Sequence, residues 1–130
     1  MISALTIPFW LLSVHYVGDF VLQSDRMALG KSRWNEDPTW LILHCLVYSL
    51  CFFMLGPWFM LVTFITHLIT DAITSKATSK LWFFRHVTGS PGNLWEYGGG
   101  SRHWFFVMIG ADQLIHYLTL VLTYHALIGV

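Results

Sequence analysis

The stretch IPFWLLSVHYVGDFVL, residues 7–22, decides the fold class because it is almost wholly apolar and carries one formal charge, Asp19. A transmembrane helix needs about 20 predominantly apolar residues, which this stretch provides together with the residues before it. A carboxylate in the hydrocarbon costs about 3 kcal/mol on insertion scales. The stretch therefore predicts a membrane helix whose aspartate has stabilising partners elsewhere in the chain.

The composition extends this prediction to the whole chain of 130 residues. Hydrophobic residues make up 55% and charged residues 11%, against about 25% charged in ordinary globular proteins. Seven Trp and ten Phe suit the aromatic belts of membrane interfaces. The formal net charge is zero, so the charge balance does not indicate a nucleic-acid partner. The first residues lack a basic region and a cleavage pattern, which predicts a retained span.

Four apolar segments are long enough to cross a bilayer, and they predict an all-α fold. Gly56-Pro57 separates the second segment from the third, because proline ends one helix and suits the first turn of the next. The run LWFF, residues 81–84, is too short to span and predicts an interfacial amphipathic segment between helices three and four. We expect a single domain, residues 1–130, that forms an integral membrane bundle of four transmembrane helices. Its spans are 2–22, 39–55, 58–74 and 104–128.

The basic residues predict the orientation of this bundle. All seven lie in the two polar stretches, 24–38 and 75–103, and none lies near a terminus or between the second and third segments. Four spans place both stretches on one side of the membrane, and the positive-inside rule assigns that side to the cytoplasm. We therefore expect a protein of the inner, cytoplasmic membrane with both termini outside and two basic cytoplasmic loops.

Each acidic residue in the predicted spans has a histidine one helical turn away, and residues four apart share a helix face. The spans contain no Lys or Arg, so we expect these aspartates to lack a fixed cationic partner within the membrane. All four helices carry these side chains toward the cytoplasmic boundary, where a bundle can gather them. The pairs are His15–Asp19, His67–Asp71 and Asp112–His116, and the second span adds His44.

Seven such side chains predict a metal centre, because helical bundles build these centres from inward-facing carboxylates and histidines. Mixed imidazole and carboxylate ligation favours zinc, with manganese or iron as alternatives. The candidates exceed the four ligands usual for one zinc ion, so we expect one or two divalent ions. Two ions with a bridging hydroxide would balance three aspartates. The predicted ligands are His15, Asp19, His44, His67, Asp71, Asp112 and His116.

Two glutamines and two arginines are candidates for the layer around the ligands or for substrate contact. Gln23 lies one turn beyond the first pair, and Gln113 lies inside the last pair. Either glutamine could orient a ligand by hydrogen bonding. Arg85 and Arg102 are expected either to anchor the topology or to bind a phosphate headgroup.

The ordered motifs of the chain resemble those of a known family. They are HYVGDFVLQSD at 15–25, then His44, then HLITD at 67–71 and DQLIH at 112–116. Together they resemble the bacterial and phage membrane family catalogued as domain of unknown function 3307, over most of the chain. Members often carry a lysine shortly after the third-span motif, so the resemblance adds Lys76 to the candidates for substrate contact. The embedded His and Asp residues are also similar to those of the LexA-regulated membrane-bound metal-dependent hydrolases, which implies hydrolysis.

These residues favour a membrane-embedded metal-dependent hydrolase that acts near the cytoplasmic side on a lipid or lipid-linked substrate, such as a phosphoester. Asp19, Asp71 and Asp112 are its catalytic candidates, since one of them could act as general base. An alternative is a metal-ion or proton transporter that uses the same cluster, although the outer half of the spans offers few polar residues. A third hypothesis is a non-catalytic partner protein whose structural metal locks the bundle or a homo-oligomer.

Overall fold

The computed structural model describes the backbone of residues 7–87 and 100–129 and the side chains of residues 7–81 and 103–129. Within these ranges the chain is helical and has no strand, which confirms the predicted all-α class. The α-helices are α1 Phe9–Tyr16, α2 Asp25–Gly30, α3 Thr39–Leu50, α4 Pro57–Val87 and α5 Gly100–Ile128. A π-helical segment, Val17–Val21, extends α1, and short 3-10 helices, Lys31–Arg33 and Phe53–Leu55, follow α2 and α3.

Two of the described helices, α4 and α5, are long and apolar enough to cross a membrane. Their candidate spans are Pro57–Leu81 and His103–Ile128, and each exceeds the length needed for a hydrocarbon layer of about 30 Å. The packing between these two helices is the most extensive in the structure. Together they form the long scaffold against which the shorter elements pack.

The shorter apolar helices end earlier than the sequence predicts. α3 has 12 residues, about 18 Å at 1.5 Å per residue, and ends before residue 55, the predicted end of the second span. A turn and a 3-10 helix follow α3, and Gly56 then turns the chain with a positive φ of 94°. The first apolar helix covers Phe9–Val21, and residues 2–6 of the predicted first span lie outside the described residues.

α4 corrects the prediction of a separate interfacial segment. It runs without a break over 31 residues, so residues 81–84 form part of the same helix, which continues past residue 74, the predicted end of the third span. Neither proline nor glycine occurs between residues 75 and 87, and several residues there are good helix formers. The helix is about 46 Å long, so it exceeds the thickness of the hydrocarbon layer.

The apolar core lies directly beside the polar residues of the bundle. It consists of Leu11, Tyr48, Phe52, Phe59 and Leu120. Tyr48 joins the core to the polar residues, because its ring stacks on His67 with centroids 3.8 Å apart. The first helix approaches α3 closely at Gly18, where an added Cβ would lie 3.1 Å from the Tyr48 ring. This close approach brings the polar faces of the two helices together.

The polar stretch after the first apolar helix, residues 25–34, folds into two short helices and the residue after them, together called the cap below. α2 begins after Ser24, whose hydroxyl accepts a hydrogen bond from the Met27 backbone N–H. Trp34 Nε1 donates to the backbone carbonyl of Ala72 over 2.8 Å and so ties the cap to α4. Gly30 lies against Trp40, since an added Cβ would be 2.6 Å from the indole ring. These contacts hold the cap in place and direct Lys31 toward the centre of the bundle.

Candidate metal centre

The structure brings predicted ligands from four different helical elements to one buried place. Their ligand atoms come within hydrogen-bonding distance of one another although the residues are far apart in sequence. The ligand atoms of one set, Asp19, His67, Asp71 and His116, all lie within 4.8 Å of one another, and all four side chains are buried. Such a set of imidazole and carboxylate groups can hold a metal ion.

His44 belongs to the same cluster. Its Nε2 atom lies 3.2 Å from Asp19 Oδ1, 3.2 Å from Asp71 Oδ2 and 3.0 Å from His67 Nε2. His67 Nε2 lies 3.4 Å and 3.6 Å from the same two carboxylate oxygens. Tetrahedral ligands bound at about 2.0–2.1 Å are roughly 3.3–3.4 Å apart. These five distances, from 3.0 to 3.6 Å, therefore bracket the spacing of ligands around one small cation.

His44 and His116 are alternative fourth members of the inner set. His116 Nε2 lies 2.9 Å from Asp71 Oδ1 and 3.3 Å from Asp112 Oδ1. His44 instead contacts Asp19 Oδ1 and Asp71 Oδ2, the same two oxygens that lie near His67 Nε2. We therefore assign Asp19, His44, His67 and Asp71 to the inner set and place His116 beside it as a hydrogen-bonding partner of Asp71.

The two inner histidines favour a cation for a further reason. If both rings donated a hydrogen bond from Nε2 to the carboxylates, two N–H groups would face each other at the 3.0 Å separation of His44 and His67. One ring must instead present a lone pair, or a cation must accept lone pairs from both. Neutral imidazole nitrogens are common metal ligands, so a cation removes the conflict directly.

Gln113 connects the inner set to an outer layer. Its Nε2 donates to Asp19 Oδ2 over 2.8 Å and to Asp112 Oδ2 over 3.1 Å. Its Oε1 is an acceptor only, so the 3.0 Å contact with His15 Nε2 requires a proton on that nitrogen. His15 Nδ1 then accepts from the Tyr48 hydroxyl over 2.8 Å. His15, predicted as a ligand, therefore lies in the outer layer.

Asp112 also lies outside the inner set. Its Oδ1 accepts a hydrogen bond from the Thr74 hydroxyl and lies 3.3 Å from His116 Nε2. Its side chain retains an exposed fraction of 16%, against 4% for Asp19 and 1% for Asp71. Asp112 thus connects the buried cluster to the space beside it.

The role of Gln113 can be measured with the substitution Gln113→Leu. We expect zinc affinity to fall by about 10–100-fold, the range found when groups that orient metal ligands are removed, because Asp19 loses a hydrogen-bond donor. The measurement is zinc competition against a chelator in detergent solution. Gln23→Leu is the matched control, and equal affinities for the two variants would contradict this role for Gln113.

Lys31 is the functional residue that the spacing argument missed. Its Nζ donates to Asp71 Oδ2 over 2.9 Å, so the expectation that the aspartates lack a fixed cationic partner is wrong. Burial disfavours the ammonium form, but the carboxylates of Asp71 and Asp19 outweigh this cost and raise the pKa of Lys31. Lys31 lies outside the predicted spans and reaches the cluster from the cap, so no periodicity within a span could indicate it.

Two of the remaining sequence candidates, Lys76 and Gln23, lie outside the inner set. Lys76 holds its ammonium 4.0 Å from the centre of the Trp34 ring, so it supports the cap through a cation–π contact. Gln23 lines the neighbouring cavity. The side chains of Arg85 and Arg102 lie outside the described residues, and so does the loop between α4 and α5.

A cavity of about 370 Å³ adjoins the cluster, at the lower end of the range of about 300–1,000 Å³ typical of small-molecule sites. One part of its wall is polar and belongs to the metal centre and its outer layer. Another part is apolar, and there Phe20 and Leu29 are also exposed on the outside of the protein. The polar lining includes Asp19, Lys31, Asp112 and Gln113, and the apolar lining includes Phe20, Leu29, Phe105 and Ile109.

The fold and the site define an all-α protein with two membrane-length helices and a buried His/Asp cluster that can hold a metal ion. The chain belongs to the family described as "Protein of unknown function (DUF3307)", whose model matches residues 7–130. This match confirms the resemblance found in the motifs. No curated protein and no solved structure matches the chain. The similarity to the LexA-regulated hydrolases therefore has no support, and the reaction class depends on the site alone.

Proposed function

We propose that the chain is a membrane-embedded metal-dependent hydrolase that acts on a lipid or lipid-linked substrate, such as a phosphoester. The observation that carries this proposal is the inner set of two histidines and two aspartates, at the spacing of tetrahedral ligands, beside a cavity with polar and apolar walls. Two nitrogen and two oxygen ligands favour zinc over calcium or magnesium. Four protein ligands fill a tetrahedral site, so catalysis would need a fifth coordination position; a water molecule or substrate oxygen bound there would be acidified or polarised by the cation.

The three catalytic candidates take different roles in this proposal. Asp19 and Asp71 hold the cation, because both are buried in the inner set. Asp112 acts as general base, because it lines the cavity and is not needed as a ligand. The Thr74 hydroxyl and the Gln113 amide hold its two oxygens in position. A general base must lie within hydrogen-bonding reach of the reacting proton, which suits a residue at the cavity wall.

The membrane arrangement is part of the same proposal. All four apolar helices would cross the inner membrane, α4 and α5 with membrane-length spans and the two shorter helices beside them, so that both basic stretches lie in the cytoplasm and the termini lie outside. Large apolar side chains on the outer faces support this, for example Phe9 at 81% and Leu122 at 64% exposed. Exposed apolar surface of this kind marks contact with lipid or with a partner. The cavity would then open toward the cytoplasmic leaflet.

Turnover of membrane lipids tests the proposed reaction. We expect zinc-loaded protein in detergent to release a headgroup or phosphate from a bacterial lipid extract, detected by mass spectrometry. A chelator should abolish the release and added zinc should restore it. Asp112→Asn should retain zinc and lose at least about 100-fold in rate, as general bases contribute about 10²–10⁴-fold. Zinc flux into proteoliposomes without any product from lipid would instead support transport.

A further inference from the structure

We infer that the centre holds one divalent cation, and that Lys31 takes the place of a second metal ion as the remaining positive charge. This inference rests on the proposed metal centre and goes beyond it, because it fixes the stoichiometry and adds a charged group to the site. Three observations carry it: the division of the predicted ligands into layers, the charge of the cluster, and the way the cap holds Lys31.

The inner set supplies the ligands for one ion, and the other predicted ligands are already engaged in hydrogen bonds. Within residues 7–81 and 103–129, one group of side chains that could hold a metal occurs, Asp19, His67, Asp71 and His116, and His44 is the alternative to His116 in it. His15 is already engaged by Tyr48 and Gln113. Asp112 is held by Thr74 and Gln113. His116 Nε2 forms a hydrogen bond with Asp71 Oδ1. A second ion would have to break these hydrogen bonds to assemble its own ligands, whereas one ion leaves them intact.

The charges of the cluster balance with one ion. Asp19, Asp71 and Asp112 together carry three negative charges when ionised. With the histidines neutral, one divalent cation and the Lys31 ammonium carry three positive charges, so the centre is neutral. A second divalent cation would leave a surplus of two positive charges, or of one if a hydroxide bridged the two ions, in a buried site where unpaired charge is costly. The two-ion balance expected from the spans alone omitted Lys31, because that residue comes from outside them.

The cap fixes Lys31 at this position. Trp34 is bonded to α4 three residues after Lys31, and Gly30 is pressed against Trp40 immediately before it. Two anchored residues, Gly30 and Trp34, therefore flank Lys31 in the chain. Its ammonium donates a hydrogen bond to Asp71 Oδ2. Lys31 also lines the cavity, so its side chain lies within reach of a substrate bound there. This makes Lys31 a positioning residue for an anionic or carbonyl group.

The experiment measures zinc per chain and zinc affinity in detergent-purified protein. We expect one zinc per wild-type chain and the same value for Lys31→Arg, which keeps the charge. Lys31→Met should bind zinc at least about tenfold more tightly, because a positive charge next to the ion is removed. Lys76→Met is the matched control and should behave as wild type, since Lys76 contacts Trp34 rather than a carboxylate.

Two results would overturn the inference while leaving the metal centre in place. These are two zinc ions per wild-type chain, or a folded Lys31→Met protein whose zinc affinity equals that of Lys76→Met. If Lys31→Met does not fold, the wild-type stoichiometry decides the matter by itself. A folded wild-type protein that binds no zinc, manganese or iron would overturn the proposed function instead, so the two failures are distinguishable.

Discussion

Asp71→Asn is expected to lower zinc affinity by more than about 100-fold. Asp71 is the most connected group of the cluster, with one oxygen 3.2 Å from His44 and 2.9 Å from Lys31 and the other 2.9 Å from His116. Loss of a group that only orients a ligand already costs about 10–100-fold, so loss of a ligand should cost more. Zinc retained after gel filtration and chelator competition measure the effect.

The same substitution should also destabilise the metal-free protein. Removing one partner of a buried charge pair leaves the other unpaired, at a cost of about 3–5 kcal/mol, and Lys31 would be that partner. Asp25→Asn is the matched control, because Asp25 is exposed at the first turn of α2. If Asp71→Asn kept wild-type zinc affinity and a wild-type unfolding temperature, Asp71 would be neither a ligand nor the partner of a buried charge.

Ile109→Trp is expected to abolish lipid turnover and leave the metal in place. Ile109 lines the cavity, and the larger indole ring there would project into the space that a substrate would occupy. The inner ligands lie on other helices, so zinc binding should stay within about threefold of wild type while the rate falls by at least about 100-fold, as expected when a substrate is displaced from its reactive position. The measurement pairs zinc content with headgroup release.

Ile115→Trp provides the control for this substitution. Ile115 lies on the same helix with 41% of its surface exposed, so the same added bulk points away from the packed bundle. Its turnover should match that of wild type. Equal turnover by Ile109→Trp and wild type would show that the substrate does not enter this cavity, whereas loss of zinc from Ile109→Trp would mean that the substitution disturbs the centre itself.

The local part of the site could be predicted from the sequence. A separation of four residues places both members of a pair on one helix face, and His67 with Asp71 illustrates this because α4 is regular there. The spacing of residues along a helix does not show whether a residue belongs to the inner ligand set or to the outer layer around it. His15 and Asp19 have the same separation, but the π-helical segment Val17–Val21 changes the angle between them, and only Asp19 enters the inner set. Single π-helical turns are frequent at functional sites.

The tertiary part of the site could not be predicted in this way. Lys31 precedes Asp71 by 40 residues, and their contact depends on how the cap folds back onto α4. In the sequence Lys31 resembled the other basic residues that set membrane orientation. The end of α4 was missed for a related reason, because hydropathy falls after Thr74 while the helix continues through residues that favour it. Hydropathy indicates the solvent around a segment and not the length of its helix.

X-ray absorption at the metal edge of the purified protein tests the central claim most directly. We expect one bound divalent metal per chain. It should have four nitrogen or oxygen ligands at about 2.0–2.1 Å and the scattering pattern of two imidazole rings. Asp71→Asn should lose this signal. A folded protein without bound metal would contradict the proposed centre. A metal with sulfur ligands at about 2.3 Å would also contradict it, since that result would move the site to the free cysteines Cys45 and Cys51.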